Sequence, residues 1–188
     1  MNVRPEEIYS RFPQLQTDGL LLRQLRSSDA DGVYRMFSDP QVTRFYDLDT
    51  FDDPRQAQEL IEQFTQRFDR RIGLRWAIAS AGEPDVLLGT CGYNIWIQPS
   101  RRAVLGFDLL RSHWRRGIMT EALTAVLDFG FETMELNRVE ALTFVDNAAS
   151  HGLLQKLGFR REGVLREYQL IGARFVDMDM HSLLRRER

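Results

Sequence analysis

Several features that would place a chain outside the ordinary globular proteins are absent from this sequence. Its 188 residues include one cysteine, Cys91, so no internal disulfide can form, and we expect an intracellular, cytoplasmic protein. No run of ~18 apolar residues occurs and the N-terminus is polar, so we expect neither a membrane-spanning helix nor a signal peptide. The formal net charge of -2 offers no basic excess for nucleic acid or an anionic membrane surface.

Sequence motifs for several cofactors are also missing. The chain contains no G-x-x-x-x-G-K-[ST], which excludes a P-loop, and no G-x-G-x-x-G, which argues against a dinucleotide-binding fold. The histidines, His113, His151 and His181, are scattered along the chain. They do not form a metal-binding set, so no metal is expected.

The composition that remains is typical of a globular protein with a substantial core. Hydrophobic residues make up 43% of the chain and charged residues 28%, and the length fits one domain over 1–188. The residue patterns run in the order strand, two helices, three strands, helix, strand, helix, two strands, which predicts a mixed α/β (α+β) fold. The predicted strands cover about 19–25, 74–79, 86–97, 103–110, 139–145, 160–170 and 174–184.

Capping residues and apolar stripes locate the main helices. The first is expected to begin within 27–31 and to end at Asp39-Pro40, and the second to open at Asp53-Pro54. The third covers about 118–134 and the fourth 148–157. Residues 1–17 are expected to be loosely structured or to form a short helix.

The segment 114–122 joins a predicted strand to the longest predicted helix and has the features of an anion site. A helix N-terminus leaves backbone N–H groups unpaired and carries a partial positive charge. Gly117 lets the backbone approach a ligand closely, and Arg115 and Arg116 add positive charge. These features predict phosphate binding. The alternative is an ordinary strand-to-helix turn with two solvated arginines.

This segment, W-R-R-G-I-M-T-E-A, resembles motif A of the GNAT superfamily of acetyltransferases, whose pattern is R/Q-x-x-G-x-G/A. Downstream, N-A-A-S at 147–150, followed by Leu154, Gly158 and Phe159, resembles motif B of the same superfamily. Both motifs are similar to the RimJ/RimL-type branch of ribosomal-protein N-terminal acetyltransferases, and the resemblance extends over about 19–184. One departure is Arg115, which stands where that branch often has glycine.

The resemblance implies a mixed, mostly antiparallel sheet, flanked by about four helices and splayed between its strands 4 and 5, with acetyl-CoA in the cleft. Strand 4 would be 103–110 and strand 5 would be 139–145. The implied activity is metal-free acetyl transfer from acetyl-CoA to a primary amine, on a protein N-terminus or a small molecule, by direct attack on the thioester. The implied cofactor-binding residues are Phe107, Asp108, Leu109, Leu110, Arg115, Arg116, Gly117, Ile118, Met119, Thr120, Asn147 and Ser150.

Three side chains are candidates for proton transfer in such a reaction. The family has a hydroxyl near the leaving thiolate, and Ser150 stands at that place. Glu167 resembles the acidic position on the sixth strand and is one candidate base. Asp108, on strand 4 beside the expected acetyl group, is its rival. The alternatives are an ordinary helical serine for Ser150 and a surface strand residue for Glu167.

The acceptor amine is not identified by these motifs, which only bind the cofactor. Tyr46, Trp76, Tyr93 and Asn94 are candidates for lining the acceptor side, with core packing as the alternative for each. Two other functions stay open, a non-catalytic acyl-CoA-binding module on the same fold and a cofactor-free homodimeric structural protein. The sequence does not distinguish a monomer from a homodimer, and no nucleic acid or membrane partner is expected.

Overall fold

The computed structural model describes residues 5–188 and contains, within them, one eight-stranded sheet and six α-helices. The strands are β1 (Leu15–Gln16), β2 (Leu20–Gln24), β3 (Leu74–Ser80), β4 (Glu83–Ile97), β5 (Arg102–Leu109), β6 (Arg138–Phe144), β7 (Arg160–Ile171) and β8 (Arg174–Leu184). The helices are α1 (Pro5–Ile8), α2 (Ala30–Phe37), α3 (Pro40–Thr43), α4 (Pro54–Asp69), α5 (Ile118–Asp128) and α6 (Ala148–Lys156). Of the predicted segment 1–17, residues 1–4 lie outside the described part. No helix of the described residues is long and apolar enough to cross a bilayer.

The sheet is mixed and mostly antiparallel, as expected. Its strand order is β1-β2-β3-β4-β5-β6-β8-β7, and β5 with β6 is the one parallel pair. These two strands pair only from Arg102 opposite Arg138 to Leu105 opposite Ala141. Beyond that point β5 continues to Leu109 and β6 to Phe144 without pairing to each other. The sheet is therefore splayed open at this position, which is the expected break between family strands 4 and 5.

Helix α4 forms where its capping residues predicted it. Asp53 Oδ1 accepts a hydrogen bond from the N–H of Arg55 at 2.9 Å, and Gln56 Oε1 accepts one from the N–H of Asp53 at 3.0 Å. Pro54 stands at the first helical position, where a missing N–H costs nothing. The buried residues of α4 recur at helical spacing and pack against one face of the sheet; they are Ala57, Leu60, Ile61, Phe64 and Phe68.

Three local predictions are corrected by the structure. Helix α2 ends at Phe37, and Asp39 caps a further turn, α3, by accepting a hydrogen bond from the N–H of Gln41 at 2.8 Å. Proline is tolerated in the first turn of a helix, so Asp39-Pro40 begins α3 two residues after α2 has ended. The single-turn helices α1 and α3 raise the number from about four to six. Strand β4 begins at Glu83, three residues before the start predicted at 86.

The long helix predicted over 118–134 is interrupted. It is α-helical only to Asp128, and a wider π-helical turn covers Phe129–Thr133. Tyr93 Oη donates a hydrogen bond to the carbonyl of Val126 at 2.8 Å, and a Cβ added at Gly130 would lie 2.0 Å from that hydroxyl. The tyrosine tip occupies the space beside the helix, so the wide turn and Gly130 together accommodate it.

Hydrophobic residues pack on both faces of the sheet. One cluster joins α5 and α6 to the sheet and contains Trp76, Tyr93 and Cys91. The other joins α2 and α4 to the opposite face. Cys91 is fully buried, and burial raises the pKa of its thiol to about 12, so it is an unreactive core residue. The two packed faces leave the splay between β5 and β6 as the opening into the sheet.

Candidate active site

The N-terminus of α5 is shaped by Gly117. This residue precedes the helix with φ +81°, in the left-handed region that favours glycine, and no side chain of the described residues caps the helix. A Cβ added at Gly117 would meet nothing within 4 Å, so the glycine is required by backbone conformation rather than by packing. The first N–H groups of α5 consequently face open space and can receive an anion.

Arg115 and Arg116 flank this turn and supply positive charge. Both side chains are exposed, and neither forms an ion pair with any residue that the structure describes. Arg115 has φ +59°, also in the left-handed region that favours glycine. The arginine therefore adds a charge at the cost of backbone strain.

A cavity of about 760 Å³ opens beside this turn. Its walls come from the end of β5, the N-termini of α5 and α6, and the segment that follows α3. All of the predicted cofactor residues line it except Leu110. The N–H of Leu110 instead donates a hydrogen bond to the carbonyl of Leu88 at 2.9 Å, and its side chain packs against the α2–α4 cluster. Leu110 is therefore held on the other side of β5.

The edge of β5 that faces this cavity is open beyond the pairing with β6. From Gly106 to Leu109, β5 remains paired with β4 on its other side but has no β6 partner. Trp114 Nε1 donates a hydrogen bond to the carbonyl of Leu109 at 2.8 Å, which ties the turn before α5 to the end of the strand. The remaining open edge can hydrogen-bond an extended ligand that carries amide groups.

Asn147 and Ser150 form the start of α6 on the opposite wall. Asn147 Oδ1 accepts a hydrogen bond from the N–H of Ser150 at 3.1 Å, so the asparagine caps the helix as its position predicted. The Ser150 hydroxyl makes no hydrogen bond with any described residue. Both residues line the first cavity and also a second, smaller one of about 200 Å³. Ser150 is thus placed where the two cavities meet.

The second cavity adjoins the first along a shared wall of Phe45, Tyr46, Phe107, Asn147 and Ser150. It extends between the diverging strands β5 and β6 and reaches Gln169 on β7 and Met178 on β8. Two adjacent cavities with a hydroxyl at their boundary can hold two reactants, one on each side.

Asp108 is buried at the base of the site in a network of polar groups. The Arg75 guanidinium contacts its carboxylate directly, and Thr90 Oγ1 donates to Asp108 Oδ2 at 3.1 Å. Tyr46 Oη lies 3.5 Å from the same oxygen, and Asn94 Oδ1 accepts from Arg75 Nη1 at 3.0 Å. Burial raises the pKa of Asp108, while the charge of Arg75 and the hydrogen bond from Thr90 oppose the rise.

Arg75 is a site residue that the sequence analysis did not identify. Its side chain is 3% exposed and its guanidinium lies 5.1 Å from the centre of the Phe64 ring. A charged residue within the apolar strand β3 was the available indication, because a buried charge needs a partner. Only the fold shows that the partner, Asp108, comes from β5.

Two of the predicted acceptor residues line the cavities and two do not. Tyr46 lines both cavities and Asn94 lines the second. Trp76 and Tyr93 are fully buried in the α5–α6 cluster, which corrects their assignment to the acceptor side. Side chains alternate between the two faces of a strand, so Arg75 and Asn94 point to the site while their neighbours Trp76 and Tyr93 point to the core.

Glu167 lies away from both cavities. It is exposed on β7 with φ +50°, inside an irregularity where the register with β8 shifts between Leu165 and Gln169. Its N–H donates a hydrogen bond to Asp177 Oδ1 at 2.7 Å. The irregularity presents Glu167 to solvent, so the structure does not bring this candidate base to the site. No group of three or more potential metal ligands occurs among the described residues.

Comparison with known proteins identifies the family. Residues 19–160 match the acetyltransferase (GNAT) domain family, and the chain belongs to it. A Bacillus subtilis relative named as an uncharacterized N-acetyltransferase, YoaA, is 37% identical over 174 residues, which cover 93% of this chain and 98% of the relative. The protein is therefore an acetyltransferase by family.

Solved structures of the family have the same fold. A GNAT acetyltransferase from Bacillus anthracis superposes with a TM-score of 0.82 at 21% identity, over 93% of this chain and all of that one. RimJ of Mycobacterium smegmatis, in complex with CoA-disulfide, superposes with a TM-score of 0.78 at 23% identity, over 92% and 86% of the two chains. The expected resemblance to the RimJ/RimL-like branch is confirmed.

Proposed function

We propose that this protein transfers the acetyl group of acetyl-CoA to a primary amine, either a protein N-terminal α-amine or a small-molecule amine. The observation that carries the proposal is the pair of adjoining cavities, with an uncapped helix N-terminus in the first and Ser150 at their boundary. The CoA derivative in the related RimJ structure supports the same donor.

The donor site would occupy the first cavity. The N-terminus of α5 with Arg115 and Arg116 fits a diphosphate, and the open edge of β5 fits an amide-containing arm, both of which acetyl-CoA has. Acetyl-CoA, when bound, supplies an activated acetyl thioester. The residues Gly117 to Thr120 contribute backbone donors, and the adjacent cavity leaves room for the amine.

Ser150 is proposed as the proton donor to the departing sulfur. Its hydroxyl is not used in capping, because Asn147 performs that role, and it lies at the boundary of the two cavities. A positioned acid of this kind contributes about 10²-fold or more to a rate. Asp108 is proposed as the base that accepts the proton lost by the amine, directly or through the Tyr46 hydroxyl, which lies 3.5 Å from its carboxylate on a residue that lines both cavities. Its position in the first cavity favours it over Glu167.

The proposal is tested by measuring CoA thiol release from acetyl-CoA with a panel of peptides and small amines. The wild-type protein should release thiol with at least one amine, and acetyl-CoA alone should raise its Tm. Ser150→Ala should lower kcat about 10²-fold with little change in the KM for acetyl-CoA. An unchanged kcat contradicts the role of Ser150, and a protein that neither binds acetyl-CoA nor acetylates any amine contradicts the function.

A further inference from the structure

Charge is distributed unequally between the two cavities. The first is lined by Arg44, His113, Arg115 and Arg116, and its one carboxylate is the buried Asp108. This excess of positive charge suits the phosphate groups of the donor. The second cavity, assigned here to the acceptor amine, is lined by three ionisable side chains, Tyr46, Asp47 and Arg75.

Arg75 does not offer free positive charge to an acceptor. Its Nε donates to Thr90 Oγ1 at 3.1 Å, its Nη1 donates to Asn94 Oδ1 at 3.0 Å, and its Nη2 contacts the Asp108 carboxylate. All three nitrogens are therefore engaged, and the charge is balanced by a buried counter-ion. The guanidinium also depends on Gly106 for space, because a Cβ at that position would lie only 2.6 Å from Arg75 Nη1.

Asp47 is a carboxylate of the second cavity that has no ionic partner among the described residues. Its side chain is exposed at the cavity wall and forms no ion pair with any residue that the structure describes. Its charge contributes to raising the pKa of both Tyr46 and Asp108, although burial is the larger cause in each case, so its field reaches the base of the site. The arginine nearest in sequence, Arg44, lines the first cavity and not the second.

We infer that the acceptor is an amine with no carboxylate beside its reacting nitrogen, such as a peptide-like N-terminus or a polyamine, and is not a free amino acid. The inference rests on the proposed function and narrows its acceptor. A carboxylate in the second cavity would meet Asp47, and the Arg75 guanidinium that also lines this cavity is already paired with Asp108, so no free cation among the described lining residues is left to pair with it.

The aromatic residues of the second cavity favour the same class of acceptor. Phe45 and Phe144 lie with ring centroids 5.9 Å apart, and Tyr46 and Phe107 complete an apolar wall. The Arg44 guanidinium already lies 5.0 Å from the centre of the Phe45 ring, so an acceptor ammonium group would meet the other aromatic faces and the negative charge of Asp47. A neutral amide or a second ammonium group on the acceptor can therefore enter where a carboxylate is repelled.

The test compares three acceptors that differ in the group near the amine, namely alaninamide, alanine and putrescine, by CoA thiol release. Rates are expressed per concentration of neutral amine, because the carboxylate of alanine also raises the pKa of its own amino group. The kcat/KM for alaninamide or for putrescine should exceed that for alanine by about tenfold or more. A higher kcat/KM for alaninamide than for putrescine indicates a peptide-like acceptor, and the reverse order indicates a polyamine. Equal values for alanine and both other amines overturn the inference but leave the proposed function standing.

Asp47→Asn identifies the residue responsible. This variant should reduce the ratio of kcat/KM for alaninamide or putrescine to kcat/KM for alanine by about fivefold, because the repulsion between Asp47 and the carboxylate of alanine is removed. The matched control is Asp49→Asn, which changes an exposed carboxylate two residues away that lines neither cavity and should leave the preference unchanged. Binding of each amine to the CoA-loaded protein, measured by calorimetry, should follow the same order. An unchanged preference in Asp47→Asn overturns the role of Asp47, and loss of thiol release with every amine in the wild type refutes the proposed function itself.

Discussion

At the scale of single residues, Arg115 carries both a functional charge and a conformational cost. Its φ of +59° lies in a region that costs a non-glycine residue about 1–2 kcal/mol. The side chain is exposed beside the N-terminus of α5 and has no ionic partner among the described residues. No ion pair or side-chain hydrogen bond with the residues that the structure describes offsets this strain, which agrees with a role of Arg115 in binding an anion.

Arg115→Gly is expected to separate these two effects. Relief of the strained backbone should raise the free energy of unfolding by about 0.5–1 kcal/mol, after the larger chain entropy of glycine is subtracted. Loss of one positive charge should weaken acetyl-CoA binding. Chemical denaturation and calorimetric titration measure the two quantities. The control, Arg116→Gly, removes a neighbouring charge without relieving strain, so it should weaken binding and lower stability; equal stability changes in both variants would refute the account.

The choice of base also belongs to the residue scale. A base acts only when deprotonated, so activity should fall as pH drops through the pKa of the true base, which burial raises for Asp108. Asp108→Asn should abolish this acid-side limb of the pH–rate profile, whereas Glu167→Gln should leave the profile unchanged. Persistence of the limb in Asp108→Asn would exclude this carboxylate.

Asp108→Asn also leaves the buried charge of Arg75 without its counter-ion, which costs about 3–5 kcal/mol. Tyr46→Phe is therefore the companion variant, since it keeps the ion pair and removes only the hydroxyl that lies 3.5 Å from Asp108. If Tyr46 conveys the proton, this variant should lower kcat while the Tm stays close to that of the wild type. A wild-type kcat in Tyr46→Phe would show that Asp108 acts without it.

At the scale of elements, the π-helical turn after α5 and the helix α6 use glycine differently. Gly130 lies against the Tyr93 hydroxyl, where an added Cβ would be 2.0 Å away. Gly152 lies within α6 with nothing within 4 Å of an added Cβ and without a positive φ. One glycine is required by packing, and the other only lowers helix propensity.

Gly130→Ala should lower the free energy of unfolding by about 1–3 kcal/mol, because the methyl group must displace a buried tyrosine. Gly152→Ala, the matched control, should raise it by about 0.5–1 kcal/mol through helix propensity. Both changes are measured by urea denaturation. If the two alanine variants had the same stability, the interpretation of the π-helical turn as an accommodation of Tyr93 would be wrong.

At the scale of the whole molecule, charged side chains hold together the closed end of the splay. Arg102 on β5 donates to Glu140 Oε2 on β6 at 2.7 Å, and Arg138 Nε donates to Glu140 Oε1 at 2.8 Å. Arg138 also reaches Glu162 on β7 with bonds of 2.7 and 2.6 Å, across β8, where Ser182 donates to the same carboxylate at 2.5 Å. The chain of contacts spans four strands, namely the parallel pair β5 and β6 and the two strands beyond β6, β8 and β7.

This network predicts a dependence of stability on acid pH. Hydrogen bonds from Arg138, then from Ser182, lower the pKa of Glu162 from 4.5 to about 2. Because the folded pKa is the lower one, the stabilisation is fully present above pH 4.5 and is lost as the pH falls towards 2. The difference in Tm between wild type and Glu162→Gln should therefore shrink over this interval. The matched control is Glu132→Gln, which changes an exposed glutamate outside the network, and its difference in Tm from the wild type should not shrink over this interval. A difference in Tm for Glu162→Gln that stays constant with pH would contradict the prediction.

The helix N-termini proposed to bind the cofactor were predictable because they depend on local sequence. Gly117 precedes α5 in a left-handed conformation that favours glycine, and Asn147 caps α6 within four residues of chain. Both are short-range effects, and their residue types identify them. Seven of the eight strands were located for the same reason, since alternation of apolar residues is itself local, whereas the two-residue strand β1 was missed.

The acceptor side was not predictable in this way. Trp76 and Arg75 are adjacent in sequence, yet one is core and the other belongs to the site, and only the pleat of β3 within the folded sheet decides which. Glu167 lies outside both cavities, within an irregularity of β7, and the π-helical turn formed around a tyrosine from β4. Each of these outcomes depends on partners distant in the chain.

The sequence by itself therefore determined the family, the order of the elements and the turn at Arg115–Thr120, because motif, capping and periodicity act over a few residues. Tertiary structure alone decided where β5 and β6 separate, that Arg75 is neutralised by Asp108, and that Asp47 is left as the free charge of the second cavity. Burial and ion pairing are properties of groups brought together from separate strands, so the electrostatics that would select an acceptor exist only in the folded protein.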